Sequence, residues 1–142
     1  MTESDEINWP WPISPKELLQ QARVAAARAY APYSRFVVGA ALLLADGDVI
    51  LGCNVENASY GMTICAERNA VGGMVARGRL DPVAIAVAGG DSGEPCPPCG
   101  ACRQVLAEFN PDMIVLLESP QRIIAMRVKE LLPLSFSLTG KI

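Results

Sequence analysis

Thr63-Ile64-Cys65-Ala66-Glu67-Arg68 and Pro98-Cys99-Gly100-Ala101-Cys102-Arg103-Gln104 are the two segments that the rest of this chain is organised to serve. They hold three cysteines and one glutamate, the set from which a catalytic zinc takes three soft ligands, an open fourth position and a proton carrier. Thiolates bind zinc at about 2.3 Å, and a catalytic zinc keeps three protein ligands plus a water. On a helix starting near Cys65, Glu67 lies too close in sequence to share the metal comfortably, but is placed to face the bound water. Cys99 and Cys102 are three apart, so a helix starting at Cys99 puts both sulfurs on one face. Taken singly, Cys65 reads as a buried small residue, and C-x-x-C as a structural zinc knuckle or an unmetallated redox pair. Taken together and in this order, the two segments point to a catalytic zinc.

The cysteine count leaves a choice. Cys96 forms a second C-x-x-C with Cys99, so Cys96 and Cys99 are an alternative ligand pair. Cys99 and Cys102 are preferred, because Pro97 and Pro98 make the first spacing extended. Cys53, in an apolar run, reads as a buried structural residue. Five cysteines without an export signal suit a reducing compartment and metal thiolates rather than a disulfide framework. The chain has no histidine, which removes His-based triads and HExxH zinc sites.

A chain of 142 residues is expected to form one catalytic domain over 14–142, preceded by an extended arm over 1–13. Hydrophobic residues make up 51% and charged residues 19%, which argues against disorder. The net charge of −3 offers no basic track, so a nucleic-acid partner is not expected. The acidic N-terminus lacks the apolar stretch of a signal peptide, and no apolar run reaches the roughly 18–20 residues that span a bilayer. A cytoplasmic protein without a membrane partner is expected.

Ser14-Pro15-Lys16-Glu17 carries an N-cap, a proline at the first helical position and a glutamate three residues after the cap. Leu18, Ala22, Ala25 and Ala29 continue the helix to about Tyr30, before Pro32. The runs 37–44 and 49–55 flank Asp46-Gly47-Asp48 and read as a hairpin, both strands buried on two faces. A helix from about Cys65 to Arg77 stops at Gly78. Its internal Gly72 and Gly73, each costing roughly 1 kcal/mol relative to Ala, imply close approach by another helix or a subunit. A strand over 82–89, a helix over 99–109, strands over 113–117 and 122–128, and a short helical turn over 129–132 follow. The fold class is α/β, a three-layer sandwich: a mixed five-stranded sheet with helices on both faces.

Both metal-bearing segments begin helices, so unpaired N–H groups and positive dipole ends point at the metal. Three thiolates on Zn²⁺ leave a formal charge of −1, and Arg68 beside Glu67 offsets part of it. The alternative for Arg68 is an ordinary surface ion pair, and for Glu67 a solvated helix glutamate. Asn54 and Glu56, two apart on an extended strand end, point the same way and form either a polar fork or a simple turn signal.

These segments, with Tyr33-Ser34-Arg35-Phe36-Val37-Val38-Gly39-Ala40-Ala41, Asn54-Val55-Glu56-Asn57-Ala58-Ser59-Tyr60-Gly61, and Glu130-Leu131-Leu132-Pro133 followed by Phe136, resemble the small zinc-dependent cytidine deaminases of the homotetrameric type. The matching blocks run from about residue 14 to 137. The resemblance implies hydrolytic deamination of cytidine and 2′-deoxycytidine in pyrimidine salvage, by a zinc-activated water. It implies one Zn²⁺ per subunit on Cys65, Cys99 and Cys102, with Glu67 as proton shuttle. Phe36 would stack near the pyrimidine, Asn54 and Glu56 would bind the ribose, and the Ala66 N–H would hold the base carbonyl. Ala58, Tyr60 and Phe136 fall at or near positions that cross a subunit interface in that family. The partner classes implied are a small nucleoside and further copies of the chain. Rival readings are a deaminase of an antibiotic or modified cytosine nucleoside, and a structural zinc module for protein binding. The Trp9/Trp11 arm has no role that the resemblance assigns.

Overall fold

The computed structural model describes residues 2–138. Its elements are β1 (Thr2–Glu3), α1 (Pro15–Ala26), β2 (Val38–Leu44), β3 (Val49–Cys53), α2 (Ala66–Ala76), β4 (Pro82–Gly89), α3 (Gly100–Phe109), β5 (Ile114–Glu118), β6 (Ile123–Arg127) and α4 (Val128–Leu131). The sheet order is β1-β6-β5-β4-β2-β3. β4 and β5 pair in parallel across the α3 crossover, and the other neighbours pair antiparallel. The five expected strands form a mixed sheet, and two residues of the arm add a short sixth strand on β6.

The centre of the sheet explains its continuous apolar sequence. Ala40, Leu42 and Leu44 of β2, with Ile85 and Val87 of β4, face one core with α2 and Leu106 of α3. Ala41 and Leu43, with Ala84, Ala86 and Ala88, face a second core against Leu18, Leu19 and Ala22 of α1. Strands buried on both faces need no polar alternation. β3 departs from the expectation of two buried faces. It is the edge strand, and its Leu51 remains 37% exposed.

Ser14 caps α1 through a full capping box: its hydroxyl accepts from the Glu17 N–H, and the Glu17 carboxylate accepts from the Ser14 N–H. The helix ends at Ala26 rather than near Tyr30. The Tyr30 N–H donates to Asn54 O and the Glu56 N–H to Tyr30 O, so a bridge to the chain after β3 takes the groups that another helical turn would use. The arm packs on the body: Ile7, Trp9, Trp11 and Ile13 cover the second core beside α1. The two indoles meet edge to face at 4.9 Å, and Trp9 Nε1–H donates to Ile13 O. The irregular tail is seen through Leu138, and residues 139–142 lie outside those described.

Helix-to-sheet spacing depends on Gly52. A Cβ there would lie 2.3 Å from Ala66 O and 2.6 Å from the Ala70 N of α2. Both are backbone atoms, so neither can swing aside. Gly52→Ala is expected to lower stability by about 3 kcal/mol or more, at the upper end of overpacking costs, and to displace the start of α2. Denaturant unfolding checks this, and a change within about 0.5 kcal/mol would contradict it. Gly73 answers to a strand rather than a helix, since its Cβ position lies 3.2 Å from Ile50 Cγ2. A Cβ at Gly72 would meet no other element within 4 Å among the described residues, so the expected close approach of another helix is not seen there.

Candidate metal centre and the adjoining cavity

Cys65 and Cys99 occupy equivalent places. Each is the N-cap of its helix, extended in backbone, with no capping bond from its side chain. Both thiols are therefore free to ligate at the mouths of two helix dipoles. Cys102 lies in the first turn of α3 and is fully buried. Cys65 Sγ is 3.9 Å from Cys99 Sγ, which is 3.5 Å from Cys102 Sγ. A tetrahedral ion with bonds of about 2.3 Å needs sulfurs about 3.8 Å apart, so this donor set fits zinc. Among the described residues these are the three cysteines that gather within ligand distance, and Cys96 is outside the group.

Glu67 is 4% exposed and sits against the cluster. Burial pushes its carboxyl above the usual carboxylate range, while its own backbone N–H, the Cys102 thiol and the Arg68 charge pull the other way. Burial likewise raises the Cys102 thiol, reinforced by the nearby Glu67 charge. Cys99 goes down: burial opposes its ionisation, but backbone donors at Cys102 and Ala101 and the two other thiols outweigh it. Arg68 Nη2–H donates to Cys65 Sγ at 3.5 Å, which ties the guanidinium to the ligand set rather than to a surface carboxylate.

A cavity of about 220 Å³ opens beside the cluster, and its lining includes Cys65, Ala66, Glu67 and Cys99 together with Asn54, Glu56 and Tyr60. Glu56 is held as an anion. Its carboxylate accepts from the Ser34 hydroxyl at 2.5 Å, from the Tyr33 and Ser34 N–H groups and from the Tyr60 hydroxyl. The Ser34 hydroxyl bond leads in holding it below the usual carboxylate range. Asn54 is partly committed to the fold: its Oδ1 accepts from the Val38 N–H, and its Nδ2 donates to Phe36 O. One lone pair and one N–H of that amide remain for a ligand.

The other sequence candidates are placed differently. Phe36 lies over Gly89 and Gly90 and is not on the cavity wall. Ala58 is exposed and Phe136 is 70% exposed, and neither lines the cavity of its own chain. Phe136 stands near Phe109, and its carbonyl accepts from Gln104 Nε2–H. Cys53 is half-buried, with its carbonyl bonded by Asn69 Nδ2–H. Sequence reasoning missed Val38, Thr63, Cys96 and Pro97 as wall residues. For Cys96 and Pro97 the proximity to Cys99 was a usable signal, whereas Val38 carried none.

Residues 13–118 match the family described as the cytidine and deoxycytidylate deaminase zinc-binding region. The cytidine deaminase of Halalkalibacterium halodurans is 55% identical over 122 residues, covering 84% of this chain and 92% of that one. The crystal structure of cytidine deaminase from Burkholderia pseudomallei superposes with a TM-score of 0.82 at 46% identity, covering 87% of this chain and all of that one. A blasticidin-S deaminase of Bacillus cereus is 32% identical over 107 residues, 70% of this chain and 76% of that one.

Proposed function

The chain belongs to the zinc-dependent cytidine deaminase family, and from that premise we propose that it hydrolyses cytidine and 2′-deoxycytidine to uridine and deoxyuridine with release of ammonia. The observation that carries the reading is one cavity whose lining joins the Cys₃ cluster and a buried carboxylate, Glu67, to a second carboxylate, Glu56, that already accepts from hydroxyls. Cys65, Cys99 and Cys102 hold one zinc per subunit, which when bound supplies the Lewis acidity that brings the ionisation of water into the neutral range. Glu67 takes one proton from the attacking water and delivers it to ring N3, then takes the second from the new C4 hydroxyl and delivers it to the departing amino group. Its raised affinity for protons suits both transfers. The Ala66 N–H, one of the unpaired donors of the first turn of α2, holds the base carbonyl. Glu56, Asn54 and Tyr60 orient the sugar, and Arg68 balances thiolate charge through Cys65. Residues 14–142 act as the catalytic domain, working in the cytoplasm in pyrimidine salvage. Among the described residues no helix is long and apolar enough to cross a membrane. Ammonia release matched to uridine formation tests the reaction, and faster turnover of a cytosine antibiotic than of cytidine would favour the alternative substrate.

The working unit in this proposal is a homotetramer. Tyr30, Val55 and Ile64 are joined by backbone bridges yet stay 56%, 45% and 37% exposed, with Met62 at 64% nearby. Such a contiguous apolar face suits contact with another subunit. Ala58, Tyr60 and Phe136 then serve at the subunit boundary, with Phe136 covering a neighbour's substrate. Phe136→Ala is expected to weaken nucleoside binding by about 1–2 kcal/mol while sparing the metal. Calorimetry with uridine measures this, and sedimentation showing a fully active monomer would defeat the shared site.

A further inference from the structure

Cys96 is one of five cysteines, yet it stands outside the ligand cluster and on the wall of the cavity. Its position is built. Gly89 shares its side of β4 with Ile85 and Val87, and a Cβ there would lie 2.8 Å from Cys96 Sγ and 3.2 Å from Phe36 Cε1. The missing side chain makes room for the thiol, and the Phe36 ring closes the space beside it. Cys96 is thus backed by strand and ring, with little room to retreat.

The chemistry of a cytosine nucleoside orients the ring in this cavity. The sugar on N1 belongs beside the polar lining residues Asn54, Glu56 and Tyr60, and C4, across the ring from N1, beside the cysteine cluster. Of the two edges between them, N3 and the C2 carbonyl need polar partners, which the Ala66 N–H and Glu67 supply. The C5–C6 edge offers only C–H groups. Val38, Cys96 and Pro97 are apolar members of the lining that suit it, and Pro97 has no N–H to offer. Val38 is tied to Asn54. Cys96 lies three residues before the ligand Cys99 and lines the same cavity with it.

We propose that Cys96, backed by Gly89 and Phe36, faces C5 of the pyrimidine and sets the size of the C5 substituent that the enzyme accepts; this rests on the deaminase reading above. Cys96→Ile narrows the wall and Cys96→Ala widens it. The test is kcat/KM for 5-methylcytidine and 5-bromocytidine, each divided by that for cytidine, in the zinc-loaded enzyme and both variants. The division cancels any difference in the amount of folded enzyme. Cys96→Ile is expected to lower both ratios at least about tenfold, and Cys96→Ala to raise the 5-bromocytidine ratio severalfold, the scale of one methyl group in an apolar pocket. Calorimetric affinity for 5-methyluridine relative to uridine is expected to move the same way without turnover. Ratios within twofold of the parent in both variants, or shifts of the opposite sign, would overturn the assignment. Failure of the parent enzyme to turn over cytidine at all would instead remove the deaminase reading beneath it.

Discussion

Replacing Glu67 with glutamine is expected to leave the zinc and the fold in place and to lower kcat about 10²–10⁴-fold. Glutamine keeps the shape and one carbonyl acceptor but cannot carry a proton from water to substrate. Glu67 is buried, with burial as the main cause of its raised proton affinity. A neutral amide there removes a costly buried charge, so thermal stability should hold or rise. KM should change far less than kcat, since the lost interaction belongs to the transition state. Near-normal turnover by a zinc-loaded Glu67→Gln protein would remove the shuttle from the account.

Zinc content separates the two C-x-x-C readings. Cys102→Ser exchanges a buried thiolate for a harder, shorter and weaker donor, 3.5 Å from Cys99 in the parent. Removing even an outer partner of a metal ligand commonly costs about 10–100-fold in affinity, so loss of a ligand should cost at least that. Cys96→Ser should retain one zinc per chain, because its sulfur packs at Gly89 rather than in the cluster. Metal analysis after dialysis gives the answer. Retention by Cys102→Ser with loss by Cys96→Ser would show that the ligands are Cys96 and Cys99.

The central strands were legible because both faces are buried, so runs such as 82–89 carry their own boundaries, and β4 spans those residues. Local chemistry likewise marked the start of α1 at Ser14 and the two N-cap cysteines. What stayed hidden depends on partners distant in sequence. α1 stops early because Tyr30 bridges to the chain after β3, and Thr2–Glu3 finds β6 across nearly the whole sequence. The indoles of Trp9 and Trp11 were expected to pack on the body or on another subunit; that they settle over the second core follows only from packing. At the site, spacing was enough to anticipate the gathering of Cys65, Cys99 and Cys102 and the place of Glu67 beside them. The division of labour at Asn54 could not, because its amide is shared with the backbone of Phe36 and Val38. Phe36 was expected near the pyrimidine by resemblance; its ring packs by Gly89 beside Cys96 and is not among the lining residues of the cavity.

The central claim is that cytidine turnover runs on zinc held by Cys65, Cys99 and Cys102. The most direct measurement is the initial rate of cytidine absorbance loss as chelated protein is titrated with zinc. The rate should rise from near zero in proportion to bound metal and level off at one zinc per chain. Full turnover by the zinc-free protein, or none by the fully loaded protein, would contradict the account.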